Sequence, residues 1–278
     1  MNALRAHASN LLIGCTSLVG LAAFCYPFLL SNGATDSNHA ADAPWLMLML
    51  MPLLLGVIMA DISTHAMNTR VIAALGVLVA INAVLRLPAG PGDSPTFFFL
   101  VMLVGYVYGA RFGFLMGALS LFVSALLTAG LGPWMPFQML TMGWIGLGTA
   151  LLQPIRRRFK LKEGGWGEIG LLASYGWLWG FGFGIAMNLT FWPFSLGESG
   201  IAWQPGIGLT ETLRRYWAFY VLTSLGWDAV RALFNVLLIL AFGKPILAVL
   251  RRFGSRLRWH EARHQVDISN ADTLPRNF

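Results

Sequence analysis

Residues 217–242, WAFYVLTSLGWDAVRALFNVLLILAF, read as a membrane-spanning helix that carries Ser224, Asp228, Arg231 and Asn235. At about 100° per residue, this spacing places all four side chains within an arc of about 60° on one helix face. Ionisable groups at mid-membrane depth are costly unless they pair or face a polar cavity, so the stripe marks a candidate functional site. The plainer explanation is a structural Asp–Arg pair that pins two helices, because membrane helices use polar side chains as glue.

The rest of the chain agrees with a membrane reading. Of 278 residues 56% are hydrophobic and only 11% charged, with mean hydropathy +0.65. Soluble domains are about one-quarter charged, so a soluble core does not explain this composition. The expected fold is an all-α polytopic membrane helix bundle. Apolar runs near the ~20 residues that cross the hydrocarbon predict about eight spans, at 10–30, 45–60, 71–88, 96–110, 112–130, 136–153, 168–190 and 216–243.

Basic residues set the orientation. Arg5, Arg70, Arg111, the run Arg156, Arg157, Arg158, Lys160 and Lys162, and the tail with Lys244, Arg251, Arg252, Arg256, Arg258 and Arg263 share one side if both termini are cytoplasmic. The opposite connections carry Asp36, Asp42, Asp93, Glu198 and Glu211, with Arg86, Arg214 and Arg215 as the bases near that surface. The net charge of +7 therefore reflects positive-inside bias and a basic tail near anionic lipid, and nothing points to nucleic acid.

Three local features have ordinary explanations. The first apolar run is too long for a signal peptide. Cys15 and Cys25, the two cysteines, fall inside that run on different faces and are expected to be buried apolar residues, outside any disulfide or metal site. His260-Glu261-Ala262-Arg263-His264 matches H-E-x-x-H, the zinc motif in which the glutamate is the general base. Its place in an Arg-rich tail with the pattern of an interfacial helix, and the short chain left to build a cleft, argue against zinc. With no nucleotide-binding loop or other cofactor signature, uphill movement would need a partner that uses ATP.

The chain divides into an N-terminal two-helix extension at 1–69, a working unit at 70–253 and a basic tail at 254–278. In the working unit Gly105, Gly109, Gly113 and Gly117 recur every fourth residue, which fits two helices packed at very close range. Gly176, Gly180, Gly182 and Gly184 admit the same explanation, or the lining of a substrate cavity. Polar and aromatic residues converge at the outer helix ends: Asn82 and Arg86, Trp134 and Gln138, Asn188 and Trp192, and Tyr220 with Tyr216 and Trp217. An outward pocket accounts for Gln138 and Asn188, whereas Trp203 and Trp217 fit an interfacial aromatic belt.

Four segments carry a family resemblance: VIAALGVLVAINAVLRLP from Val71, GYVYGARFGFLMGALS from Gly105, GPWMPFQMLTMGWIGLGTALL from Gly132, and TSLGWDAVRALFNVLL from Thr223. Over about 70–253 the chain resembles a substrate-binding S component of an energy-coupling factor (ECF) transporter, and within that family it is most similar to the branch predicted for cobalamin or corrinoid uptake. The resemblance implies a six-helix S-component-like core with no catalysis or cofactor of its own. It further implies capture of a vitamin-like ligand from outside, docking on a transmembrane coupling subunit joined to two ATPase subunits, and residence in the cell membrane. The two extra N-terminal spans depart from the family pattern. The family's docking surface, a small-residue face on the first core helix, maps onto Ala73, Gly76, Ala80 and Ala83, which also read as a small-xxx-small surface. Internal packing is the alternative role for that face.

The substrate-binding residues expected on this reading are Asn82, Arg86, Trp134, Gln138, Asn188, Trp192, Tyr220, Ser224, Asp228, Arg231 and Asn235. Two other classes compete with it. One is a membrane enzyme using Asp228 for acid–base work on a lipid-like substrate, and the other a proton-coupled carrier in which Asp228 titrates.

Overall fold

A computed structural model describes residues 2–29, 43–63, 69–88, 90, 96–194 and 200–272, with the side chains of 2–8, 61, 63 and 256–272 left out. The described residues form helices and no strand: α1 Asn2–Cys25, α2 Ala43–Ser63, α3 Thr69–Val84, α4 Phe98–Tyr108, α5 Ala110–Leu127, α6 Met135–Gly148, α7 Leu152–Arg158, α8 Trp166–Phe191, α9 Leu209–Thr223 and α10 Leu225–Asp272. Among the described residues five segments are long and apolar enough to cross a membrane unaided, namely Ser9–Leu29, Ala43–Ala60, Ala110–Leu127, Trp166–Phe194 and Leu225–Ser255.

The three shorter members of the bundle are short for different reasons. α4 has 11 residues, and Phe98 through Tyr106 are all buried. At 1.5 Å per residue it reaches about 16 Å, half the hydrocarbon, so it is a core helix sheathed by its neighbours. The 14-residue α6 is continued by a 3-10 turn, Thr149–Leu151, and then by α7. The 16-residue α3 lies on α5 with one flank open.

Glycines determine which helices touch. Gly109, at φ +96, makes the joint between α4 and α5, a conformation that L side chains rarely adopt. The other three glycines of that series pack against α6: a Cβ on Gly113 would come within 2.6 Å of the Gly146 carbonyl oxygen, and one on Gly117 within 2.2 Å of the Met142 oxygen. The close pair is thus α5 with α6. On α8, Gly176, Gly180 and Gly184 face α10, where added Cβ atoms would meet Ile239, Ala232 and the Asp228 carboxylate. Gly182 lies off this stripe, against its own helix's Trp179.

α1 and α2 form a hairpin that packs on α6. Trp144 Nε1 donates to Ser17 Oγ at 3.0 Å, and Phe24 meets Phe137 edge-on at 5.0 Å. Leu11, Leu18, Leu48 and Leu55 on its outer side are exposed, as suits a lipid-facing surface. Cys15 and Cys25 are exposed too, which corrects the expectation of burial: an apolar residue in a membrane helix can face lipid as readily as protein.

A second correction concerns residues 216–243, expected as one span. The helix stops at Thr223 and restarts at Leu225, because Ser224 has left helical geometry at φ −131. Ser224 N–H donates to Tyr220 O, and Ser224 O accepts from Asp228 N–H, each at 2.9 Å, so one residue closes α9 and opens α10. Serine favours such boundaries because its hydroxyl competes with the helical ladder. α9 then lies outside the apolar spans, and α10 runs without a break through Pro245 and residue 254 to Asp272.

One end of the bundle gathers the bases. Arg251 reaches Glu163 and Glu168, Arg156 lies 3.6 Å from Glu168, and the Lys244 ammonium sits 3.6 Å above the Trp166 ring. Arg70 shares a groove with Tyr108 and Phe253 at the same end. Arg86 and the α9 bases are elsewhere. Arg214 and Arg215 both clamp Glu211 and hold its carboxyl down to about 2.

Candidate functional site

Asp228 sits on the first turn of α10 with 2% of its surface exposed. Its Oδ1 accepts from Arg231 Nη1 at 2.5 Å, and its Oδ2 accepts from the Tyr220 hydroxyl of α9 at 3.0 Å. The room for this carboxylate comes from α8, since a Cβ on Gly184 would lie 1.8 Å from Asp228 Oδ2. Arg231 also donates to the Gly180 carbonyl at 3.2 Å and lies over the rings of Phe183 and Phe98 at 5.4 and 5.9 Å. The pair therefore bridges α8, α9 and α10 and rests on α4. One turn on, Asn235 donates to the Gly176 carbonyl at 3.4 Å. Arg231 Nε and Asn235 Oδ1 remain buried without a partner among the described residues.

Ser224 belongs to this group as the boundary residue. Its Oγ accepts from Asn188 Nδ2 of α8 at 2.7 Å. Asn188, Gln138 and Trp134 line a cavity of about 190 Å³, together with Pro133, Met187, Thr190 and Phe191. Gln138 is half-buried, and its amide makes no hydrogen bond among the described residues. Polar groups thus run from this cavity through Asn188 and Ser224 to the helix break that holds Tyr220 and Asp228.

The remaining expected binding residues lie apart from that cavity. Trp192 is 1% exposed, donates from Nε1 to the Ile201 carbonyl at 2.8 Å, and stacks among Phe28, Tyr216 and Phe219. It anchors the segment leading to α9. Asn82 and Arg86 face α5, where Asn82 Nδ2 donates to Ser120 Oγ at 2.9 Å and Arg86 Nη1 to Ser124 Oγ at 3.2 Å. Ser120 and Ser124 are one turn apart on α5, and Arg86 lies in the turn just past the end of α3, so the two bonds form a two-rung polar ladder. Asn82 Oδ1 is buried and unpartnered among the described residues. Of the four small residues on α3, Ala73, Gly76 and Ala80 are exposed, and nothing lies within 4 Å of a Cβ placed on Gly76. Ala83 is fully buried and belongs to internal packing.

The family model described as ECF transporter, substrate-specific component, matches residues 70–242, more than half of the chain. The chain belongs to this family. Neither a curated protein nor a solved structure matches it. An S component is a membrane-embedded substrate-binding subunit that associates with the energy-coupling module of an ECF transporter, and S components are transporter subunits and not enzymes. The match begins at Arg70, so the α1–α2 hairpin lies outside it.

One polar cluster of this S component was missed in the sequence. Glu168, fully buried near the start of α8, accepts from the Tyr106 hydroxyl at 2.6 Å, from Arg251 Nη2 at 2.7 Å and from the Gly164 N–H at 2.8 Å. It joins α4, α8 and α10 at the basic end. Its side-chain partners Tyr106 and Arg251 are 62 and 83 residues away along the chain, beyond the reach of any spacing rule. The single signal was an acid in the first turn of an apolar helix, which capping at a helix N-terminus also explains. Among the described residues no group of acidic, His or Cys side chains is placed to hold a metal. His260 and His264 fall in the part of α10 whose side chains are not described.

Proposed function

We propose that this S component takes a small vitamin-like solute from the side of the bundle opposite the basic end, through the cavity bounded by Trp134, Gln138 and Asn188. The observation that carries this reading is the free Gln138 amide facing a cavity whose other polar wall, Asn188, leads to the buried Tyr220, Asp228 and Arg231 group. Amide side chains supply both donors and acceptors, which suits a neutral polar solute with several heteroatoms. Asn82 and Arg86 have a supporting role, holding α3 on α5.

The basic end faces the cytoplasm on this reading, as do both termini, and the protein resides in the cell membrane. The exposed Ala73, Gly76 and Ala80 face receives the coupling subunit, which brings two ATPase subunits. Cobalamin or a corrinoid precursor is the ligand that the sequence resemblance favours. A cavity of about 190 Å³ is below the roughly 300–1,000 Å³ that buries a drug-sized ligand, so a corrinoid ring requires the outer helix ends to part.

Mass and absorbance spectra of the purified full chain test this reading. One small molecule per chain is expected, coloured if it is a corrinoid. Gln138→Ala and Asn188→Ala should each weaken its binding by about 1–3 kcal/mol, the cost of a lost buried hydrogen bond. Trp203→Ala should change it less. Equal affinity in all three variants, measured by calorimetry in detergent, contradicts the placement of the cavity.

A further inference from the structure

The α1–α2 hairpin lies outside the family match, and it reaches the cavity end of the bundle. α1 begins at the basic end, where Arg111 Nε donates to Asn10 Oδ1 at 2.9 Å. It then crosses α6 at close range, since a Cβ on Gly20 would come within 2.7 Å of the Leu140 side chain. Beyond that crossing it presents two aromatic rings, Phe24 and, in the 3-10 turn Tyr26–Leu29, Phe28.

Phe24 is 4% exposed. Its ring meets Phe137 of α6 edge-on at 5.0 Å and lies 5.6 Å from Trp144. Phe24 and Phe137 form one buried cluster with Leu46 of α2, and Ala186, Met187 and Leu189 of α8 pack against it. The cluster thus joins α6 and α8 beside the cavity, because Gln138 follows Phe137 in the chain and Met187 lines the cavity itself. Phe28 holds the next segment. Its ring lies 5.9 Å from Trp192, the residue after the cavity-lining Phe191, and stands edge-on to Trp203 at 5.7 Å.

α6 and α8 also share a hydrogen bond of their own, from the Tyr175 hydroxyl to the Ile145 carbonyl at 2.6 Å. Tyr175 lies about 18 Å from Met187 along α8. That bond fixes the two helices far from the cavity, whereas the Phe24 cluster joins them at its wall. Edge-on aromatic contacts have a preferred spacing, so a ring packed in this way holds its neighbours at a set distance.

We infer that the hairpin is a wedge and a strap for the cavity: Phe24 sets the spacing of α6 and α8 at its walls, and Phe28 holds the segment that leaves α8. Both are positioning residues, for neither lines the cavity. On the solute reading proposed above, that spacing decides which sizes of solute enter. The spacing itself is a property of the fold and is measured with no solute present.

The test places spin labels on the α6 and α8 sides of the cavity in the full chain, at Trp134→Cys and Phe191→Cys, both half-exposed positions. Cys15→Ala and Cys25→Ala first remove the two exposed native thiols. A second pair, Leu151→Cys with Gly170→Cys, serves as reference nearer the basic end, at an exposed residue and one whose Cβ would stand in open space. Distance distributions are read by electron paramagnetic resonance in nanodiscs. Phe24→Ala should broaden the cavity pair and leave the reference pair as in wild type, because the surroundings of a deleted ring close in only partially. Phe24→Leu, which keeps most of the volume, should restore most of the wild-type width. Phe28→Ala should broaden the cavity pair too, and Leu18→Ala on the exposed side of α1 should not. Should Phe24→Ala not fold, Phe28→Ala decides alone. A cavity pair of wild-type width in the alanine variants overturns the inference. Equal broadening of both pairs also overturns it, and makes the hairpin a general support of the bundle. Either result leaves solute binding at the cavity standing, and a chain that binds no solute there leaves the wedge standing.

Discussion

Asp228 and Arg231 neutralise each other inside the bundle, and removing one strands the other. Asp228→Asn leaves a buried guanidinium without its counter-charge, at a cost of about 3–5 kcal/mol. The double change of Asp228→Asn with Arg231→Gln removes both charges and should be the more stable protein, as read by thermal unfolding in detergent. If the double variant folds but no longer binds solute, the pair belongs to the binding site; if it binds and transports normally, the pair is structural glue. An Asp228→Asn protein as stable as wild type would contradict the pairing itself. Tyr220 is the second support of that carboxylate, across the helix break. The pair was legible in sequence because three residues of one turn separate it. The tyrosine's contact was not, because it depends on a break that a hydrophobic run conceals. Glu168 was hidden for a related reason, since the tyrosine and arginine bonded to it reach it from α4 and α10 through tertiary packing.

At the scale of elements, glycine spacing located close helix contacts but not which helices make them. The α5 glycines meet α6, and the α8 glycines receive the polar side of α10. An added Cβ on Gly180 would lie 2.3 Å from the Ala232 Cα, which is backbone and cannot turn aside. Gly180→Ala should therefore destabilise by about 1–3 kcal/mol, the range for overpacking a tight core. Gly170→Ala, on the same helix but facing open space, should not. Equal melting temperatures for the two would mean that α8 and α10 are not packed at this distance. The exposed face of α3 makes the opposite prediction. Gly76→Trp or Ala80→Trp should fold and bind solute but fail to capture the coupling subunit in co-purification. Loss of folding in these variants would return the face to internal packing. Sequence counted Ala83 with that face, and its burial shows that one small residue of the four belongs to the core. The all-helical class was legible from apolar run length, but the helix count was not: the run at 216–243 breaks at Ser224 and that at 136–153 passes through a 3-10 turn. Nor was the short core role of α4, because an apolar run reads alike whether lipid or protein surrounds it.

Over the whole molecule, bases gather at one end, the cavity proposed for solute opens near the other, and an apolar groove runs along one side. A binding subunit needs no catalytic group and no energy source of its own, and on the proposed reading this S component offers a polar recess within a helix bundle. Each rival account makes a different demand on the same buried carboxylate: an enzyme needs Asp228 to exchange protons with a substrate, and a carrier needs it to titrate during transport. Reconstituted vesicles separate the three. Radiolabelled solute identified from the purified chain is offered to vesicles with and without the coupling subunit, the ATPase subunits and internal ATP. The account predicts one solute bound per chain in every preparation, and accumulation only when coupling subunit, ATPase subunits and ATP are all present. Accumulation by the chain alone that an uncoupler abolishes, or chemical conversion of the solute without the partners, would contradict it.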